Sequence, residues 1–160
     1  IARSKDIYDG AVPSGNSIAA LNLLRLYDFT LNADFSAKAE AVVKAFSEFV
    51  STHPQASPAL LMAVDYATDA SKEIVVAGDP QDPGRKAMLA AIHGLFLPNK
   101  VLAATGPKDA EKTVPLLEGK GPLQGKAALY LCENHSCRKP ETEMDVVLPA
   151  LKAVKTYKLD

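Results

Sequence analysis

Two short stretches of the chain hold the residue types that do chemistry. The first is Asp9-Gly10-Ala11-Val12-Pro13-Ser14-Gly15-Asn16-Ser17, a run of turn and cap formers at the mouth of an apolar helix. Unpaired N–H groups at such a mouth attract carboxylates, phosphates and sugar hydroxyls. Asp9, Ser14 and Asn16 would add polar side chains beside them. The same residues fit a structural reading at least as well, with Ser14 capping the helix, Gly15 permitting close packing and Asp9 stabilising a turn.

The second stretch is Cys132-Glu133-Asn134-His135-Ser136-Cys137. Two thiols and an imidazole this close fit a redox or disulfide pair, half of a metal site, or two small packing residues. A zinc site needs about four ligands, and the other two histidines, His53 and His93, have no cysteine nearby, so no metal is assigned. The gap between the cysteines is also longer than in the Cys-x-x-Cys redox motif. A third candidate, the turn Gly78-Asp79-Pro80-Gln81-Asp82-Pro83-Gly84, follows an apolar run where open α/β sheets bind ligands. It lacks a Gly-x-Gly-x-x-Gly fingerprint, and its prolines remove two N–H donors, so Asp82 reads as the cap of a helix that Pro83 starts. Glu118-Gly119-Lys120-Gly121 lacks the ending of a phosphate loop and reads as a linker, and no motif implies a cofactor.

The elements that must position these groups have two textures. Ser14 fits the N-cap of a helix to about Leu31, apolar nearly all round and so expected to be buried on nearly all sides. A second, amphipathic helix is expected from about Asp34 to Thr52, and a third from the Ser57-Pro58 cap to about Ala70. From there strands and helices alternate. The expected strands are Glu73 to Ala77, Lys100 to Ala104 and Ala127 to Cys132, and the helices are Pro83 to Phe96, Asp109 to Leu117 and Glu143 to Lys155. That order implies helical hairpins over residues 1–70, followed by a small three-stranded parallel α/β segment over residues 71–160 packed on them.

Composition narrows the partners. Eighteen Lys and Arg against nineteen Asp and Glu give a net charge of −1, without the basic excess of a nucleic-acid binder. No apolar run approaches the ~18 residues of a membrane span, and no basic-then-apolar leader opens the chain. Two cysteines are too few for a secreted disulfide framework, which points to the cytoplasm. The first residue, Ile1, suggests a processed chain or a piece of a longer one.

A set of motifs carries a resemblance. The Asp9 to Ser17 stretch with Ala19-Ala20-Leu21-Asn22-Leu23-Leu24-Arg25-Leu26, then Val75-Val76-Ala77-Gly78-Asp79-Pro80, Phe96-Leu97-Pro98-Asn99-Lys100-Val101, Pro115-Leu116-Leu117-Glu118-Gly119-Lys120 and Leu131-Cys132-Glu133-Asn134-His135-Ser136-Cys137 resemble the C-terminal part of the spermatogenesis-associated thioredoxin-like proteins. In that family a thioredoxin-like domain precedes a helical (α/α) toroid similar to six-hairpin glycosidases and N-acylglucosamine 2-epimerases. The resemblance implies a C-terminal fragment, whose partners are the remaining hairpins and the thioredoxin-like domain of the parent chain. It also implies that Asp9, Ser14 and Asn16 face a cleft that takes a small sugar, with Asp9 the candidate catalytic group, and that Cys132 and Cys137 are the family's paired cysteines. Three functions follow as expectations. They are a sugar-processing or sugar-binding enzyme fragment, a thiol-redox module acting with the thioredoxin-like domain, and a scaffold whose apolar first helix docks on neighbouring hairpins or, when bare, on a second copy.

Overall fold

The computed structural model describes residues 5–105 and 110–153. The described chain divides into two compact units. One comprises residues 5–27 and Leu31–Asp69, the other Asp28–Thr30 and the described residues from Ala70 onward.

The first unit is helical. Helix α1 (Gly15–Thr30) starts where Ser14 Oγ accepts from the N–H of Ser17 and ends at Leu31, whose left-handed backbone lets its N–H reach the Tyr27 carbonyl. Ala20, Leu21 and Leu24 form its buried stripe, at helical spacing, and they pack with Leu60, Ala63 and Tyr66 of α4 (Pro58–Thr68) and Ala39 of α2 (Ala33–Ala45). The expectation of burial on nearly all sides does not hold, since Ile18 is 39% and Leu26 42% exposed on the remaining faces. A continuous helix from Asp34 to Thr52 is also not what forms. The chain breaks at Phe46 between α2 and α3 (Ser47–Thr52). There the Ser47 hydroxyl donates to the Lys44 carbonyl, a local bond that competes with the helical ladder.

The second unit is built on a sheet. Strand β1 (Lys72–Ala77) is buried along its length and lies between β2 (Lys100–Ala104), which runs parallel to it, and β3 (Ala128–Glu133), which runs antiparallel. A short β4 (Ser136–Cys137) adds to the far edge of β3, giving the order β2-β1-β3-β4. The sheet is therefore four-stranded and mixed, which corrects the expected three-stranded parallel sheet. The reason lies in the connections. Helix α5 (Pro83–His93) is long enough to carry the chain back for a parallel β2. Among the described residues between β2 and β3 the helices are α6 (Ala110–Thr113) and a single 3₁₀ turn, Pro115–Leu117, in place of the expected helix from Asp109 to Leu117. Asp109 itself lies outside the described residues. Without a crossover the chain enters β3 at the end where β1 leaves, with Ala128 opposite Ala77.

Asp82 sets that entry point. One of its carboxylate oxygens accepts from the N–H of Gly84 and caps α5, and the other accepts from the N–H of Ala127 at 3.0 Å. Gly78 permits it, because a Cβ there would come within 3.1 Å of Ala127 Cα, and its φ of 151° disfavours any other residue. Gly78→Ala is expected to cost about 2 kcal/mol through this backbone contact. Chemical denaturation checks it, and a loss below about 0.5 kcal/mol would mean that Ala127 shifts freely.

Alternate β1 residues face opposite layers. Ile74 and Val76 pack on Met88 and Ile92 of α5 and on Val147 and Leu151 of α7 (Met144–Lys152). Val75 packs with Val101, Leu116 and Leu117, and Phe29 lies against that cluster. Glu73 has the same parity as Val75, which puts a carboxylate on this second face. The expected closing helix ran to Lys155, and its last two residues lie outside the described part.

Candidate functional site

The Asp9 to Ser17 loop belongs to the first unit, and its polar groups point inward to backbone. Asp9 Oδ1 accepts from the N–H of Ser14 at 2.7 Å, and Oδ2 accepts from the N–H of Ala59 at 2.8 Å. Ala59 is in the first turn of α4, where N–H groups have no helical partner, so Asp9 serves as a remote cap. Ser57 would be the local cap, but its hydroxyl donates to the Ile7 carbonyl instead. Asn16 Nδ2 donates to the Asp6 carbonyl at 2.6 Å, and Ser14 Oγ bonds both the N–H and the hydroxyl of Ser17. Asp9, Ser14 and Asn16 thus come together, each engaged with the loop or a helix start. This arrangement braces two helix N-termini, and both oxygens of the catalytic candidate, Asp9, already hold backbone amides.

The cysteine stretch is a two-residue β-hairpin in the second unit. Glu133 pairs with Ser136 and Cys132 with Cys137, and the loop residues Asn134 and His135 both have positive φ, 50° and 59°. That is the backbone of the twisted two-residue turn that matches strand twist. Asn suits the first loop position, but histidine stands where glycine is usual, so the sequence lacks the familiar turn signal. Directly opposed, the two cysteines form a disulfide. Cys132 is fully buried, whereas Cys137 is exposed.

The hairpin also carries an imidazole to a buried carboxylate. Glu73 Oε1 accepts from the backbone N–H of His135 at 2.9 Å and lies 3.0 Å from His135 Nδ1. Register explains the meeting, because Glu73 sits opposite Cys132 across β1 and β3 and the hairpin folds its tip back over that position. A second carboxylate, Asp28 in the last turn of α1, belongs to this unit and accepts from Ser71 Oγ at 3.2 Å. At the end of β3, Glu133 is bracketed by Lys72 Nζ and Arg138, each at 3.2 Å.

Sequence reading singled out His135 and the cysteines but neither Asp28 nor Glu73. A signal existed for both: each is a carboxylate inside an apolar run, Tyr27-Asp28-Phe29 and Glu73-Ile74-Val75-Val76. Acidic residues are almost never fully buried without a partner. His93 is exposed at the end of α5, and His53 bonds Thr52 Oγ1 in the first unit.

The chain is 38% identical over 144 residues, 88% of its length, to spermatogenesis-associated protein 20 of Mus musculus, and equally so to that of Homo sapiens. It is 31% identical over 134 residues to an uncharacterized protein of Caenorhabditis elegans. The chain spans 18% of the length of each of these relatives. These similarities support a place in the spermatogenesis-associated protein 20 family. No family model and no solved structure matches the chain. Among the described residues no helix is long and apolar enough to cross a membrane.

Proposed function

We propose, from the similarity to spermatogenesis-associated protein 20 and the geometry of the hairpin, that this chain is the C-terminal part of a larger protein and serves it as a thiol–disulfide exchange module. In that protein a thioredoxin-like domain and the hairpins of a helical toroid precede it. The observation that carries the reading is the in-register Cys132–Cys137 disulfide, with one sulfur-bearing residue buried and the other exposed. Exchange needs an accessible sulfur and a leaving thiolate. A partner thiolate attacks Cys137 Sγ, the bond between the two cysteines breaks, and Cys132 leaves as a thiolate. The partner's second thiol then attacks the mixed disulfide and releases Cys137. Two electrons and two protons pass to this chain, and the partner dithiol becomes a disulfide.

Magnitudes favour exchange over stapling. A disulfide closing a loop this short, with a sequence separation of 5, contributes only about 2 kcal/mol by chain entropy. A fold with three buried clusters tolerates that loss, so reduction need not unfold it. In the cytoplasm, the compartment proposed here, disulfides are usually transient and redox-active rather than structural. A sugar-processing cleft would need a second carboxylate beside Asp9 and an Asp9 released from Ser14 and Ala59, so it ranks behind this reading.

The test is to mix the oxidised native chain with a reduced thioredoxin-type protein whose resolving cysteine is changed to serine. Mass spectrometry is expected to find a mixed disulfide on Cys137 and a free thiol at Cys132. A disulfide that resists native reduction and opens only in denaturant would overturn the proposal.

A further inference from the structure

We infer that Asp28, Glu73 and His135 form a binding site for a first-row divalent cation of the zinc or manganese class. The three residues come from the end of α1, the start of β1 and the tip of the hairpin, all within the second unit. One potential ligand atom from each lies within 4.8 Å of the other two. His135 Nδ1 and Glu73 Oε1 are 3.0 Å apart. Two ligands at right angles on a cation with ~2.1 Å bonds are separated by ~3.0 Å, so this pair already has the spacing of neighbouring ligands.

Charge is the second line of argument. Asp28 is 5% and Glu73 2% exposed, and in so dry a setting the attraction between a carboxylate and a cation is less weakened by water. Two carboxylates beside an imidazole make a donor set that attracts a divalent cation. The His135 side chain is 32% exposed and gives an ion a way in from solvent.

Groups around the trio orient it as outer partners orient metal ligands. Ser71 Oγ donates to Asp28 Oδ2, and the His135 backbone N–H donates to Glu73 Oε1. The disulfide ties the two strands immediately below the turn and so fixes where the imidazole stands. Donor chemistry selects the ion. An imidazole with two carboxylates suits zinc, manganese or iron, whereas calcium prefers an all-oxygen shell of six to eight ligands. Three protein ligands leave room for water or a substrate oxygen on the ion, as in catalytic rather than structural sites.

The experiment titrates zinc and manganese separately into the chelator-treated, oxidised chain by calorimetry, with cobalt absorption as an independent readout of ligand type. About one equivalent is expected to bind. Glu73→Gln and His135→Ala are each expected to weaken binding at least tenfold, and His53→Ala to leave it unchanged. Circular dichroism checks that Glu73→Gln folds; should it not, His135→Ala, at an exposed hairpin tip, carries the test. Absence of stoichiometric binding, or binding indifferent to His135→Ala, would leave only a His135–Glu73 ion pair and overturn the inference. Because the cysteines stay oxidised throughout, this result is independent of whether the hairpin exchanges thiols.

Discussion

Asp9→Ala is expected to lower the unfolding free energy by about 3 kcal/mol, although the residue is only half-buried. Hydrogen bonds to a charged acceptor contribute roughly 1.5 to 3 kcal/mol each, and Asp9 accepts two, from Ser14 and Ala59. Water reaches the loop, which places the total near the bottom of that range. The carboxylate also lies at the first turn of α4, where negative charge is favoured by a few tenths of a kcal/mol. Asp9→Asn retains one acceptor oxygen and is expected to lose about half as much. Urea denaturation of the two variants decides the matter. If both unfold like the parent, the brace is unimportant and Asp9 is open to a ligand role.

The largest effect is expected from Ile74→Ala, about 4 kcal/mol. Ile74 has no exposed surface and stands in the central strand, between Leu102 of β2 and Leu131 of β3. Its side chain belongs to the cluster that includes Met88, Ile92 and Leu129. Truncating such a residue loses its transfer free energy and leaves a cavity, and a strand flanked on both sides cannot move to fill it. The loss is a large part of the ~5 to 15 kcal/mol that stabilises a typical domain. Val12→Ala, at a 77% exposed position, is the control and is expected to change stability by less than about 0.5 kcal/mol. A drop of under 2 kcal/mol for Ile74→Ala would show that α5 or α7 closes over the gap.

Much of the local structure was readable from residue types alone, for reasons that are themselves local. Ser14 before an apolar run and Asp82 before Pro83 are cap signals, and both helices begin where those residues stand. The β-branched run around Val75 and the stretch from Lys100 to Ala104 are strands, as their composition requires. The break at Phe46 was not readable. It turns on Ser47 donating to a carbonyl three residues back, which serines in continuous helices also do. The fourth strand escaped because Asn134-His135 does not advertise a two-residue turn.

Sequence by itself determined where α1, α4 and α5 begin, that the β1 run is a buried strand, and that the cysteines flank a histidine. Tertiary structure alone decided the direction of β3, because that depends on whether the link after β2 crosses the sheet, a property of the whole connection and not of any residue in it. Only tertiary structure made Asp9 a cap for α4, with Ala59 fifty positions away. The meeting of Glu73 with His135, 62 positions apart, arises the same way. Strand register brings them face to face, and no pattern shorter than the sheet itself encodes that register.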